Sequence, residues 1–114
     1  FIIMDVMSPG HPVRNIWLQT VEALRDTSHV QNYASGEWLS LITEAGLITR
    51  TLTTDRLPLE YPSWIARMRT PEALSQAIRL YQESASAEVK AYFELKDDGS
   101  FTSDTIMAEA QKAG

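Results

Sequence analysis

The opening stretch, Phe1-Ile2-Ile3-Met4-Asp5-Val6-Met7, constrains the fold more than any other part of the chain. A short apolar run rich in β-branched residues reads as a strand buried on both faces, the habit of a central strand in a parallel sheet. It falls far short of the ~20 residues needed to span a bilayer. Ser8-Pro9-Gly10 breaks it. Val13, Ile16, Trp17, Val21 and Leu24 then recur at helical spacing, with Arg14, Asn15, Gln19, Glu22 and Arg25 on or near the other face. Pro12 suits a first helical turn, so the pattern predicts a helix over about 12–26. A strand followed by a helical crossover implies an α/β layered sheet.

Residues 27–34 carry no period and read as a loop. Ser35 is a candidate N-cap with Glu37 in the first turn, and Trp38, Leu41, Ile42 and Ala45 form an apolar stripe ended by Gly46. Leu47 to Leu59 reads as a strand ending before Pro58. Tyr61 to Met68 suggests a short helix. Thr70-Pro71-Glu72 starts another, with Thr70 as N-cap, whose stripe of Leu74, Ala77, Ile78 and Tyr81 runs to about Glu83. Ser86 caps one more short helix through Tyr92. Asp97-Asp98-Gly99-Ser100, flanked by Phe93 and Phe101, looks like a hairpin turn. By propensity alone Thr105 to Ala113 is ambiguous between helix and strand.

At 114 residues the chain is expected to be a single domain, 1–114, able to bury about two-thirds of its unfolded surface in one core. Zero cysteines exclude disulfides and cysteine-built metal sites, and fit a reducing, cytoplasmic location. A net charge of −5 argues against nucleic acid as a partner, and nothing suggests a membrane partner. The opening run lacks a basic lead-in and is not read as a signal peptide. The chain begins with Phe, directly in a strand-like run, as expected of a piece cut from something longer.

No Walker loop, G-x-G-x-x-G, H-E-x-x-H or G-x-S-x-G occurs. His11 and His29 would need carboxylates from separate segments to hold a metal, so ordinary loop histidines are the better reading. Arg25-Asp26-Thr27-Ser28-His29 is the densest polar cluster. It reads either as a helix end with a local turn or as a substrate-contacting loop carrying a base and a cation, and composition favours the first. Asp5 lies near the carboxyl end of the opening strand, where open α/β sheets bind ligands. Trp17, Trp38 and Trp64 are expected in the core, Trp64 with the weakest support because its helix is short. Arg67, Arg69 and Arg79 read as solvated helix charges.

The strings Glu22-Ala-Leu-Arg25-Asp26-Thr27-Ser28-His29-Val30, Ser35-Gly-Glu-Trp38-Leu, Glu44-Ala-Gly46-Leu47, Leu57-Pro-Leu59 and Trp64-Ile-Ala-Arg67-Met-Arg-Thr70-Pro71 together change the balance. They resemble the C-terminal part of class I S-adenosylmethionine-dependent methyltransferases, in the group related to ubiquinone and menaquinone biosynthesis. The resemblance runs from Phe1 to Lys112. It implies a partial Rossmann-like methyltransferase sheet with packed helices, taken from a sheet of order 3-2-1-4-5-7-6 whose seventh strand is antiparallel. Phe1 to Met7 matches the fifth strand, Leu47 to Leu57 the sixth, and Thr105 to Gln111 the seventh.

The family's glycine-rich loop and acidic ribose ligand for S-adenosylmethionine have no counterpart here. The implied chain is therefore a substrate-side portion, inactive alone, whose parent methylates a small-molecule acceptor. His29 is the expected substrate contact or base, with Arg25 and Asp5 as polar neighbours. The uncovered opening strand invites a homodimer through that strand or an adjacent edge, so a self-associating interaction module without catalytic activity is the alternative. A hydrolase using His29 with Asp5 or Asp26 has the least support, for want of a nucleophile motif.

Overall fold

A computed structural model describes residues 2–29 and 31–112. Phe1, expected to open the first strand, lies outside the described residues, as does Val30 of the loop string. The elements in chain order are β1 (Ile2–Val6), α1 (Pro12–Arg25), α2 (Ser35–Glu44), β2 (Leu47–Leu59), α3 (Tyr61–Arg67), α4 (Glu72–Glu83), α5 (Ala87–Tyr92) and β3 (Phe101–Lys112). The sheet order is β1-β3-β2, and β3 runs antiparallel to both neighbours. The helix expected over 12–26 and the strand expected in the tail are both present. The tail resolves to strand because it finds partners on two sides, which outweighs a weak helical preference.

The expectation of a central parallel strand buried on both faces is corrected. Among the described residues β1 pairs with β3 alone, and Ile2 and Met4 are 69% and 73% exposed. Both side chains share a sheet face with the exposed Met107, which sits opposite Met4. The other face is covered: Ile106, Ala108 and Ala110 are buried, the last two packing with Ile42 of α2 and with Ile3 and Leu47.

A second, larger core lies beyond this one, where one core was expected. Trp17, Leu18 and Val21 of α1 pack with Tyr61, Trp64, Ile78, Val89, Phe93 and Phe101. Ring centroids lie 4.6 Å apart for Trp17–Phe93, 5.4 Å for Trp17–Phe101 and 5.2 Å for Trp64–Phe101. The two pairs with Phe101 are edge-on, the arrangement the ring quadrupole favours. So α1, α3, α4 and α5 form a helical cap at one end of the sheet, while α2 lies on its face. Trp64, the tryptophan with the weakest support from sequence, is 1% exposed, whereas Trp38 is only half-buried. The buried stripe of α1 is also rotated: Val13 and Ile16 are exposed, while Leu18 and Glu22 are buried.

Three local expectations are corrected for identifiable reasons. β2 runs through Pro58 to Leu59, because β2 is an edge strand and its missing N–H costs no ladder bond on the open side. Pro71, not Thr70, is the N-cap of α4, since the Thr70 hydroxyl donates instead to the Arg25 carbonyl at 2.7 Å. Asp97–Ser100 does not join two strands. Helix α5 leads into it, the Lys96 N–H donates to Ser100 O at 2.8 Å, and β3 follows.

That turn is locked from outside. Gln82, fully buried, donates to the Gly99 carbonyl at 3.0 Å and accepts from Arg79 at 2.6 Å. Arg79 also donates to the Asp97 carbonyl and lies over the Tyr61 ring, so it is not the free surface charge expected. Gly99 has φ of +93°, and a Cβ there would meet Tyr61 at 2.8 Å and Gln82 at 2.9 Å. Gly99→Ala is therefore expected to destabilise the chain by about 1–3 kcal/mol. Gly36→Ala, in the first turn of α2 with nothing within 4 Å of the added Cβ, should be neutral or stabilise by up to about 1 kcal/mol. Urea unfolding of the two variants tests the contrast.

Candidate functional site

A polar network that includes His29 lies at the carboxyl end of β1, between α1 and the loop that follows it. The chain leaves β1 at Met7, whose N–H donates to Asp104 O at 2.8 Å, and Ser8 N–H donates to Tyr33 O at 2.9 Å. Asn32 closes the loop from the other side, its Nδ2 donating to Val6 O at 3.3 Å. Asn32 and Tyr33 are thereby fastened against the strand end although they belong to no regular element.

Gln19 is the hub of the arrangement. Its Nε2 donates to Asn32 O and to Asn15 Oδ1, both at 3.0 Å, and its Oε1 accepts from Asn32 N at 3.0 Å. Asn15 Oδ1 also accepts from Ser8 Oγ at 2.5 Å, and Ser8 Oγ in turn accepts from Gly10 N at 3.2 Å. His29 Nε2 lies 3.0 Å from Gln19 Oε1. The network runs from the strand end through α1 to His29 without a gap. Its amides stand one helical turn apart on α1, at 15 and 19, a spacing that gives no sign of function in a sequence read for metals and nucleophiles.

Glu22 lies one turn further along α1, and the helical spacing puts it on or near the solvated face. Instead it is 4% exposed. Trp64 Nε1 donates to its Oε1 at 3.2 Å, and Arg25 pairs with its Oε2 at 3.4 Å. The Arg25 guanidinium also lies over the Trp64 ring, 4.7 Å from its centroid. Burial pushes the Glu22 carboxyl above its ordinary range, against the lowering pull of Arg25, His29 and the Trp64 hydrogen bond, while Asp5 pushes it further up. Arg25, His29 and Asp5, the three residues expected at a site, are all within electrostatic reach of this one buried acid. Sequence alone misses Glu22 because its i, i+4 relation to Leu18 and i+1 relation to Val21 identify a buried face only once the stripe's true phase is known.

The remaining candidates have local roles. Asp26 accepts from Ser28 N at 3.0 Å and Ser28 Oγ at 2.6 Å, and these bonds hold its carboxyl below the usual range. That is the local-turn reading of the Arg25–His29 cluster. Asp5 is exposed, with its Oδ1 accepting from Val6 N, and His11 is the exposed N-cap of α1. The structure thus brings His29 into the polar network and Arg25 into the Glu22–Trp64 contact, and leaves Asp5 facing solvent.

A second polar cluster has no signal in the sequence patterns. Tyr92 lies between two guanidinium groups, Arg14 at 4.2 Å and Arg56 at 4.7 Å from its ring centroid, and its hydroxyl donates to Asp104. Arg56 pairs with Asp104 at 3.0 Å and Arg14 with Glu88 at 3.3 Å. Burial and the Asp104 carboxylate push the Tyr92 hydroxyl above its ordinary range. The charges are paired within the cluster, which ties α1 and α5 to β2 and β3.

This fold is a methyltransferase fold. The chain superposes on a candidate methyltransferase of Bacillus halodurans C-125, BH2331, with a TM-score of 0.87 at 23% identity, covering 99% of this chain and 55% of that one. It superposes on YcgJ of Bacillus subtilis with a TM-score of 0.81 at 28% identity, covering 100% of this chain and 51% of that one. In sequence it is 74% identical over 112 residues to YafE of Escherichia coli K12, described as an uncharacterized protein. It is 30% identical over 93 residues to YcgJ of Bacillus subtilis 168, described as an uncharacterized methyltransferase. The chain spans 54% of the length of YafE and 37% of that of YcgJ. No family model matches it.

The buried acid gives a testable pH dependence. Unfolded, Glu22 titrates near its ordinary value of 4.5, and in the folded chain it titrates higher. Its contribution to stability is therefore fully present below pH 4.5 and is lost as pH rises through the raised folded value. Glu22→Gln, which keeps the shape without the charge, should remove this part of the decline. Urea midpoints measured from about pH 4 to pH 8 for both proteins check it.

Proposed function

We propose that the chain is the C-terminal, substrate-side portion of an S-adenosylmethionine-dependent small-molecule methyltransferase of the group related to ubiquinone and menaquinone biosynthesis, and is inactive alone. The observation that carries this reading is the likeness to two solved structures over nearly all of this chain but only 55% and 51% of theirs. The order β1-β3-β2 with an antiparallel middle strand supports reading these as strands five, seven and six of the family sheet. The exposed Ile2, Met4 and Met107 on one sheet face, beside an unpaired β1 edge, fit a sheet that continues and is covered on that side.

The residues present do not fit the methyl donor. Glycines 10, 36, 46, 99 and 114 stand singly, with no glycine-rich loop. Gly10, the glycine that follows β1, is a single residue at φ of +79° in the Ser8-Pro9-Gly10 break. No step through the donor is assigned to this chain. Its own contribution, in this reading, is the acceptor side: His29, held by Gln19 at the carboxyl end of β1, contacts the acceptor, with Arg25 held alongside it by Glu22 and Trp64. Calorimetric titration of S-adenosylmethionine should give no binding to the 114-residue chain and clear binding to a longer protein that contains it. A longer protein that binds none would sink the reading.

A second reading rests on β1 itself. An edge strand with Ile2 69% and Met4 73% exposed is a template for pairing, and a second copy of the same strand would satisfy it. As the isolated chain the protein is expected to form a homodimer through β1 at high concentration. Light scattering across a concentration series checks this, and a monomer throughout would remove the case for a self-associating module. Met4→Lys should shift such a dimer to monomer with little loss of stability.

A further inference from the structure

We propose that Gln19 holds the neutral His29 imidazole in the Nε2–H form, so that Nδ1 is the site's open acceptor and base toward an O–H or N–H group of a small-molecule ligand. Naming that ligand a methyl acceptor rests on the methyltransferase reading; the tautomer and the open nitrogen do not.

The deciding feature is which end of the Gln19 amide faces His29. Gln19 meets the Asn32 backbone twice: Nε2 donates to Asn32 O and Oε1 accepts from Asn32 N, each at 3.0 Å. Reversing the amide would set an NH2 against an N–H and an oxygen against a carbonyl, losing both bonds and creating two repulsions. Asn15 Oδ1, which already accepts from Ser8 Oγ, holds the same Nε2 from the other side at 3.0 Å. The atom 3.0 Å from His29 Nε2 is therefore the carbonyl oxygen Oε1, which can only accept. Nε2 must carry a proton, and in the neutral ring Nδ1 then carries the lone pair.

Nδ1 has no hydrogen-bond partner among the described residues, and His29 is only half-buried. The site lies at the carboxyl end of β1, beside Arg25 and Glu22 of α1, Asp26 of the loop and Asp5 of β1. A ligand X–H donates to Nδ1. When the proton transfers, the X–H bond breaks, its electron pair stays on X as the nucleophile, and a new N–H bond leaves an imidazolium that later returns its proton to water. Gln19 is a positioning residue in this account: it touches no ligand but decides which nitrogen is offered.

Nitrogen-15 NMR of the chain at neutral pH tests the first half. The expected spectrum has His29 Nδ1 as an unprotonated-type nitrogen and Nε2 as a protonated-type nitrogen. Gln19→Leu, which removes the acceptor, should shift both toward the average of two tautomers. A proton on Nδ1 in the wild type, or a folded Gln19→Leu variant with unchanged His29 signals, would overturn the proposal. Should Gln19→Leu fail to fold, the wild-type spectrum still decides it. Diethyl pyrocarbonate tests the second half: His29 should be modified at Nδ1, and protection of the ring or modification at Nε2 overturns the open-acceptor claim. Neither measurement involves a methyl donor, so failure here is distinct from failure of the donor titration.

Discussion

Everything in this chain depends on β3 lying between two strands that precede it. β1 and β2 are not neighbours in the sheet; each pairs with β3, in antiparallel registers that run Ile2↔Glu109 to Val6↔Thr105 and Leu47↔Lys112 to Leu59↔Phe101. The two strands are joined to the sheet only when the last element of the chain arrives. Such pairing closes long loops, so the entropy of closure is offset only once β3 is in place between its two partners. Its register also sets both cores. Ile106, Ala108 and Ala110 alternate toward one face of the sheet, and at the start of the same strand Phe101 enters the aromatic cluster of the cap.

The cap gives the end of the sheet its polar network. Trp17, Leu18 and Val21 of α1 pack with residues of α3, α4 and α5, with Leu59 and Phe101 of the sheet and with Val6 of β1 at its margin. That leaves the polar side of α1, with Asn15 and Gln19, facing the strand end and the loop at Asn32. The Glu22–Arg25–Trp64 contact then couples α1 to α3 through a buried charge. A lone carboxylate so buried would be costly, and here it is matched by an arginine and an indole N–H, so the contact specifies geometry more than it adds stability.

Exposure tells the complementary story. Among the described residues nothing covers the sheet face where Ile2, Met4 and Met107 stand exposed among Glu109, Thr53 and Asp55, while the opposite face is packed by α2. A sheet in an α/β protein is ordinarily covered on both faces. In the proposed reading the acceptor-side network belongs to the covered half, and the uncovered half is where a methyltransferase fold of about twice this length has further elements to place. The fold likeness and the open edge then form one picture.

Local sequence determined most of the elements. Proline at the start of α1, Ser86 before α5 and Gly46 after α2 each act through a single backbone group, so their effect is legible without the fold. It also drew attention to the Arg25–His29 segment, because a dense polar cluster directly after a helix is visible in a short window. Tertiary structure decided the rest. Whether Thr105 to Lys112 is strand or helix depends on two partner strands, one half the chain away and the other nearly its whole length away. Whether Glu22 is solvated or buried depends on which side of α1 meets Trp64, a contact 42 residues distant. Which nitrogen His29 offers depends on the Asn32 backbone holding one amide the right way round. These are long-range pairings, and no short window of sequence contains both members.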